Sequence, residues 1–178
     1  MTRFAEDDVL ANLAAKAPLP DSLAKALADA VVRYHALAPP ATTAPFAAEV
    51  GAIVADVARA LGGLVAEADR AMVADLAAQL EAASRTCVPL LTKRCRDGHV
   101  RRCHGDLHLG NIVLVDAVPV PFDALEFDDR MATIDTLYDL AFLLMDLDHR
   151  GQRPAANMVL NRYLWRRQDA GDREGLSA

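Results

Sequence analysis

The sequence is poor in aromatic residues, and it has no apolar run long enough to cross a membrane. Its 178 residues include one Trp, three Tyr and five Phe, while 53% are hydrophobic. No segment approaches the roughly 18 consecutive apolar residues of a membrane-spanning helix. Residues 1–8 lack the charged start and apolar run of a signal peptide. We therefore expect an alanine-rich helical protein that is cytoplasmic and has no membrane partner.

Cysteine and basic charge are also scarce. Cys87, Cys95 and Cys103 form no Cys-x-x-Cys pair, which predicts reduced thiols that serve as small apolar fillers. The formal net charge of −6 gives no basic footprint for nucleic acid. The basic residues between Lys93 and Arg102 form one short stretch, which we interpret as a solvated helix end. The sequence thus predicts no nucleic-acid partner.

Helical periodicity dominates the first half of the chain. Asp21 and Ser22 offer an N-cap to one helix, and Gly62 and Gly63 are expected to end another. The predicted helices are residues 9–14, 21–34, 46–61 and 67–94, and prolines predict a loop over residues 38–45.

After Gly98 the pattern changes to short β-branched runs. Residues 99–103 are a candidate strand. Residues 112–115 and 118–122 read as two arms of a hairpin, and prolines confine the second arm to an edge. Helices are then predicted at residues 134–148, apolar nearly all round and therefore buried, and at residues 155–167, followed by a polar, frayed tail at residues 169–178.

These elements predict one α+β domain that is mostly helical, with a small β-hairpin. We assign residues 1–168 to the domain and residues 169–178 to the tail. Within the domain, residues 1–97 are helical, residues 98–130 carry the polar loop and hairpin, and residues 131–168 return to helices.

The residues whose side chains could transfer protons or bind a metal surround the predicted hairpin. They are His104, Asp106, His108 and Asn111 in the loop before it, and Asp123 and Glu126 after it. A carboxylate beside a hydroxyl group can accept its proton. Asparagine and aspartate supply the hard oxygen ligands that Mg²⁺ takes, and Mg²⁺ bridges phosphate oxygens in phosphoryl transfer.

Each of these residues also has an ordinary structural interpretation. His104 could be a hydrogen-bonded core residue, Asp106 a turn former and Asn111 a cap. Asp123 and Glu126 could be surface charges. Their joint occurrence, in this order and around one hairpin, favours chemistry over coincidence.

The pattern His104-x-Asp106-x-x-x-x-Asn111 resembles the catalytic loop shared by protein kinases and the aminoglycoside phosphotransferase and choline kinase group. The fuller string, His-Gly-Asp-Leu-His-Leu-Gly-Asn, looks like the aminoglycoside phosphotransferase version. Asp123 after Phe122 is similar to the second metal-binding motif of that group, and residues 135–141 to its downstream helix. Residues 107–111 and 124–130 look like a bacterial branch often fused to a P-loop ATPase half.

The resemblance implies a protein-kinase-like C-terminal lobe that transfers phosphate from ATP to a hydroxyl of a small molecule. It implies that Asp106 orients and deprotonates the acceptor, and that Asn111 and Asp123 hold Mg²⁺ and, through it, the nucleotide. It further implies that His104 fixes the loop backbone and that Asp139 braces the loop. His108 and Glu126 are assigned only a supporting position.

The resemblance also implies an ATP-binding N-terminal lobe, whose signals this sequence lacks. There is no Gly-x-Gly-x-x-Gly, no Gly-x-x-x-x-Gly-Lys, and the only lysines are Lys16, Lys25 and Lys93. We therefore expect an absent N-lobe and impaired activity, with a missing lobe or a homodimer partner supplying the lost contacts. One alternative is a non-catalytic relic or regulatory module of the same fold. Another is a metal-dependent hydrolase with His104, Asp106 and His108 as ligands.

Overall fold

The structure, a computed structural model, describes residues 5–41, 45–126 and 129–176. Helices dominate it, with two small antiparallel sheets. The α-helices are α1 (Leu10–Lys16), α2 (Asp21–Leu37), α3 (Pro45–Leu64), α4 (Arg70–Arg96), α5 (Asp129–Ala132), α6 (Thr136–His149), α7 (Arg153–Arg167) and α8 (Ala170–Gly175). The strands are β1 (Val100–Arg102), β2 (Ile112–Val115), β3 (Val118–Pro121) and β4 (Thr133–Asp135). Among the described residues, no helix is long and apolar enough to span a bilayer.

The main core lies between α1, α2, α6 and α7. Leu27 of α2 and Leu140 of α6 are almost completely buried there, and burying a leucine side chain stabilises a fold by about 2 kcal/mol. Leu107 and Leu109 belong to the same core although they lie in the loop between β1 and β2. The polar loop is therefore anchored by its own apolar residues.

The predicted hairpin is confirmed. Strand β2 pairs antiparallel with β3, with Ile112 opposite Pro121. The turn residues Asp116 and Ala117 both have positive φ angles, 50° and 63°, as a two-residue hairpin turn requires.

A second strand pair was not predicted. Strand β4 pairs antiparallel with β1, with Ile134 opposite Arg101. The helix predicted from residue 134 therefore begins only at Thr136, where the Asp135 side chain accepts a hydrogen bond from Leu137 N and caps the helix. Strand β4 has only three residues, which is too short to show a periodicity of its own. The prediction therefore assigned residues 134 and 135 to the apolar helix that follows.

Two helix-end predictions in the first half were wrong. Helix α3 continues through Gly62 and Gly63 to Leu64, because glycine weakens a helix by about 1 kcal/mol without ending it. Pro20, not Asp21, is the N-cap residue of α2, and no side chain caps this end. Residues 42–44 of the predicted loop lie outside the described residues.

The segment predicted to be a frayed tail folds as α8, with Asp172 completely buried. Gly171 and Gly175 allow α8 to pack closely against His99 and Arg94. A Cβ atom at Gly171 would lie 2.6 Å from His99 Nε2, and one at Gly175 would lie against the Arg94 guanidinium. Residues 177–178 lie outside the description.

A buried ion-pair network holds α8. The Arg94 guanidinium donates to both carboxylate oxygens of Asp135, at 2.6 and 2.8 Å, and to the backbone carbonyl of Gly171. Asp172 accepts from Arg167 Nε at 2.6 Å. Arg94 is only 1% exposed, so the interpretation of this basic stretch as a solvated helix end is wrong at Arg94.

None of the three cysteines, all of which lie among the described residues, forms a disulfide, and Cys95 and Cys103 are buried, in agreement with the prediction of reduced, apolar fillers. Burial strongly raises the pKa of Cys103, so its thiol stays protonated.

Candidate active site

The loop between β1 and β2 approaches the segment that follows the hairpin. Gly105 has a φ angle of +80°, and a Cβ atom there would lie 2.7 Å from Leu125 Cδ1. Leu125 N donates to His104 O at 3.0 Å. Only glycine satisfies both the backbone angle and the contact, so the loop and the segment around residue 125 are held together.

The completely buried side chain of His104 links the loop to the segment that follows the hairpin. Its Nδ1 accepts from Asp106 N at 3.4 Å, and its Nε2 lies 2.8 Å from Phe122 O. Because Phe122 O can only accept, Nε2 carries the proton. Both ring nitrogens are therefore engaged in fixing backbone, which leaves His104 no free atom for a substrate or a metal.

Asp106 and Asn111 face each other across the loop, and both are partly exposed. Asn111 Nδ2 donates to Asp106 O at 3.0 Å and to Asp106 Oδ2 at 3.1 Å. The donation through Nδ2 leaves Asn111 Oδ1 as a possible metal ligand. Among the described residues, no hydrogen bond occupies Oδ1 of Asp106.

Asp123 lies at the same end of the hairpin as Asn111. Phe122 N donates to Asn111 O at 2.9 Å, which extends the β2–β3 ladder by one pair. Asp123 itself is exposed and has a φ angle of +59°, a left-handed conformation that costs energy for a non-glycine residue. The hairpin thus brings two oxygen-bearing side chains to one edge.

Asp139 of α6 is completely buried beneath the loop. Its carboxylate accepts from Gly105 N at 2.9 Å and from His104 N at 3.3 Å. A third donor is His35 Nε2 of α2, at 3.0 Å, and His35 Nδ1 lies 2.8 Å from the hydroxyl of Tyr163. Three donors offset the cost of burying this carboxylate.

The loop has a second carboxylate support that sequence reasoning missed. Asp146, also on α6, accepts from Leu109 N at 2.9 Å and from Arg150 Nε at 2.8 Å. Its position two helical turns after Asp139, on a helix that is otherwise mostly apolar, was the available signal. His35 and Tyr163 were missed as well. His35 follows the apolar Val31 of the predicted helix at residues 21–34 by four residues, which places both on one face of α2.

His108 and Glu126 differ in their surroundings. His108 Nδ1 accepts from Gly110 N at 3.0 Å, and its Nε2 lies 3.5 Å from Asp106 Oδ2. Glu126 is exposed and borders residues 127–128, which lie outside the description. Of the described residues of the loop, none is hydrogen-bonded to Glu126, so its supporting position stays a prediction.

Two other groupings do not form the candidate site. His35, Cys103 and Asp139 bring ligand atoms within 4.8 Å of one another, but Asp139 already accepts three hydrogen bonds and the Cys103 thiol is protonated. An apolar cavity of about 410 Å³ lies between α3, α4, α6 and α8. None of its lining residues belongs to the loop at residues 103–111.

Residues 1–176 match the model of the phosphotransferase enzyme family. The chain belongs to this family, and the resemblance to the aminoglycoside phosphotransferase and choline kinase group is confirmed. Its mostly helical α+β architecture with small two-stranded sheets agrees with that family's kinase-like fold.

The chain is also similar to uncharacterized proteins of Mycobacterium bovis and of two strains of Mycobacterium tuberculosis. Each is 28% identical over 173 residues, which make up 95% of this chain and 35% of the relative. The chain thus spans about a third of the length of these relatives. No solved structure matches it.

Proposed function

We propose that this chain is the catalytic, metal-binding lobe of a kinase-like enzyme that transfers phosphate from ATP to a hydroxyl of a small molecule. One observation carries the proposal. Asn111 Nδ2 donates to Asp106 Oδ2 at 3.1 Å, and within the part of the chain that the structure describes no hydrogen bond occupies Oδ1 of either side chain. The hairpin places Asp123 at the same edge.

In this proposal Asp106 is the general base. Its partly exposed carboxylate orients the acceptor hydroxyl through Oδ1 and accepts the proton as the oxygen attacks phosphorus. Asn111 would contribute twice, because its Nδ2 donates to the Asp106 carboxylate and its Oδ1 would hold the metal. His104 and Asp139 touch neither substrate nor metal and fix the loop backbone.

Asn111 Oδ1 and the Asp123 carboxylate fit Mg²⁺, since both are hard oxygen ligands on a solvent-accessible edge. When bound, Mg²⁺ neutralises charge on the phosphate oxygens of the nucleotide. Two protein ligands are typical of a Mg²⁺ ion that is completed by water and substrate phosphates.

The groups that cover the nucleotide are proposed to come from outside the described residues, either from an N-terminal lobe or from a second copy of the chain. Catalysis in phosphoryl transfer is mostly positioning and charge stabilisation. The chain by itself is therefore expected to bind Mg²⁺–ATP weakly and to turn over slowly. The acceptor belongs to the class of small hydroxylated molecules.

The test measures transfer of radiolabelled γ-phosphate from ATP to a panel of amino sugars, sugars and amino alcohols, with and without Mg²⁺. Calorimetry with Mg²⁺–ATP accompanies it. Phosphorylation of an acceptor above the level of Asp106→Asn supports the proposal. The matched control is Asp116→Asn in the exposed hairpin turn, where asparagine tolerates the positive φ angle. Nucleotide binding without any transfer would favour the non-catalytic, regulatory alternative.

A further inference from the structure

His108 has an orientation that the loop backbone fixes. The residue precedes the short 3₁₀ turn Leu109–Asn111, and its Nδ1 accepts from Gly110 N at 3.0 Å as the cap of that turn. A ring nitrogen that accepts a backbone N–H carries no proton. In the neutral imidazole the proton is therefore on Nε2.

Gly110 gives independent evidence for this ring position. A Cβ atom at Gly110 would lie 2.7 Å from His108 Cε1 and 2.9 Å from His108 Nδ1. Gly110 has no positive φ angle, so its backbone conformation alone does not demand glycine. With the His108 ring in this position, a side chain at residue 110 would collide with it.

The protonated nitrogen faces the candidate base. His108 Nε2 lies 3.5 Å from Asp106 Oδ2, and the two side chains are 37% and 48% exposed. This distance exceeds a normal N–H···O hydrogen bond of about 2.9 Å, but contacts of this kind often tighten when substrate binds. Asn111 Nδ2 donates to the same oxygen, so both contacts fall on Oδ2.

We propose that His108 is a positioning residue for Asp106. Together with Asn111 it holds Oδ2, so that Oδ1 is the oxygen presented to the acceptor hydroxyl. Its cap on Gly110 N selects the tautomer that donates to Asp106. This proposal rests on the proposed function for its catalytic consequence, but the contact itself does not.

Two substitutions separate the two sides of the ring. In His108→Asn, the amide oxygen reproduces Nδ1 and keeps the cap, but nothing reaches Asp106. In His108→Gln, the amide nitrogen reproduces Nε2 and keeps a donor toward Asp106 while the cap is lost. With Mg²⁺–ATP as substrate and water as acceptor, we expect His108→Asn to lower kcat about tenfold, the equivalent of one hydrogen bond to a charged group. We expect His108→Gln to remain within about threefold of the wild-type kcat, a loss of less than ~1 kcal/mol.

If His108 were only a cap, the order would reverse, with His108→Gln the more impaired variant, and the proposal would be overturned. Thermal melting of both variants shows how much each loses in stability. The KM for Mg²⁺–ATP is expected to stay unchanged in His108→Asn, because the lost contact is to the base and not to the nucleotide.

Nitrogen NMR of the histidine-labelled chain tests the contact without any turnover. In spectra recorded where the ring is neutral, we expect the proton of His108 to be on Nε2, and we expect Asp106→Asn to shift the Nε2 resonance. Asp116→Asn is the control and should leave that resonance unmoved. An Nδ1-protonated ring, or an Nε2 resonance unaffected by Asp106→Asn, would contradict the proposal. A wild-type chain with no more hydrolysis than Asp106→Asn would count against the proposed function, while the NMR result would still decide the contact.

Discussion

Asp139 and Asp146 lie two helical turns apart on α6 and hold opposite ends of the same loop. Asp139 accepts from the backbone N–H groups of His104 and Gly105, and Asp146 accepts from that of Leu109. Because one rigid helix carries both acceptors, the spacing of the loop ends is set by the helical repeat. The segment with Asp106 and His108 spans the gap between these two supports.

Asp106→Asn is expected to reduce phosphate transfer by at least about 100-fold, the range assigned to general-base catalysis. The amide keeps the shape and can still meet Asn111, but it loses the charge and the ability to accept a proton. Steady-state kinetics measures this loss, and thermal melting should show an unchanged fold. Near-normal kcat in this variant would exclude the proposed mechanism.

Asp123→Ala is expected to act on the nucleotide as well as on turnover. Because Asp123 is the proposed charged ligand of Mg²⁺, its removal should weaken binding of Mg²⁺–ATP, whereas Asp106→Asn should leave that binding largely intact. Calorimetric titration of both variants compares the two effects. Equal nucleotide affinity in Asp123→Ala and the wild type would show that Asp123 does not hold the metal.

Asp139→Ala is expected to lower the free energy of unfolding by about 3 kcal/mol, because it leaves the buried donors of His104 and His35 and the partly buried N–H of Gly105 without their acceptor. For a domain of this size, that loss corresponds to a decrease in Tm of roughly 6–12 °C. Asp148→Ala, an exposed position on the same helix, is the matched control and should melt within about 2 °C of the wild type. Similar melting of both variants would refute the bracing role.

Asp146→Ala is expected to have a smaller effect on stability, about 1–2 kcal/mol, since it frees one backbone donor and is only partly buried. Its main effect should appear as faster hydrogen exchange at Leu109 N, whose acceptor is removed. Hydrogen exchange measured by NMR at Leu109 and at Gly105 distinguishes the contribution of Asp146 from that of Asp139. The increase in exchange rate is expected to be larger at Leu109, which also loses its acceptor, than at Gly105.

Asp172 is expected to make the stability of the chain depend on acidic pH. Burial raises its pKa, but the hydrogen bonds and charges of His99 and Arg167 outweigh burial and lower the pKa from 3.8 to about 2. A depressed carboxylate pKa stabilises the fold above the unfolded value. That contribution, about 2 kcal/mol, is lost as the pH falls from about 4 to about 2.

Calorimetric melts of the wild type and Asp172→Asn between pH 6 and pH 2 measure this contribution. The variant should be less stable at pH 6, and the difference between the two proteins should shrink below about pH 4, where the Asp172 carboxylate of the unfolded wild-type chain begins to bind protons while that of the folded chain stays ionised. A difference that does not change with pH would show that the charge of Asp172 contributes nothing.

Local patterns in the sequence were sufficient for the hairpin and for most helices, because β-branched runs and helical stripes report on residues close in the chain. The loop motif likewise identified Asp106, Asn111 and Asp123 as candidates. Whether these three residues perform the proposed chemistry is decided by the variants above and not by their positions.

The sequence could not predict partners that are distant along the chain. Asp139 meets His35 from α2, and Arg94 meets Asp135 and Asp172. No spacing rule links such positions, and the sequence alone does not distinguish a buried arginine or aspartate from an exposed one. Strand β4 and helix α8 were missed for the same reason, since pairing with β1 and with the Arg94 guanidinium defines them.

Leu107 and Leu109 restrict the movement of the loop, although most of its other residues are polar. Both are completely buried in the main core, so the loop cannot swing outward without opening that core. Its backbone amides are therefore expected to exchange with solvent at the rate of global unfolding. Under the proposed function, a loop held in this way does not adapt its shape to different acceptors, and any tolerance for several acceptors would come from other parts of the protein.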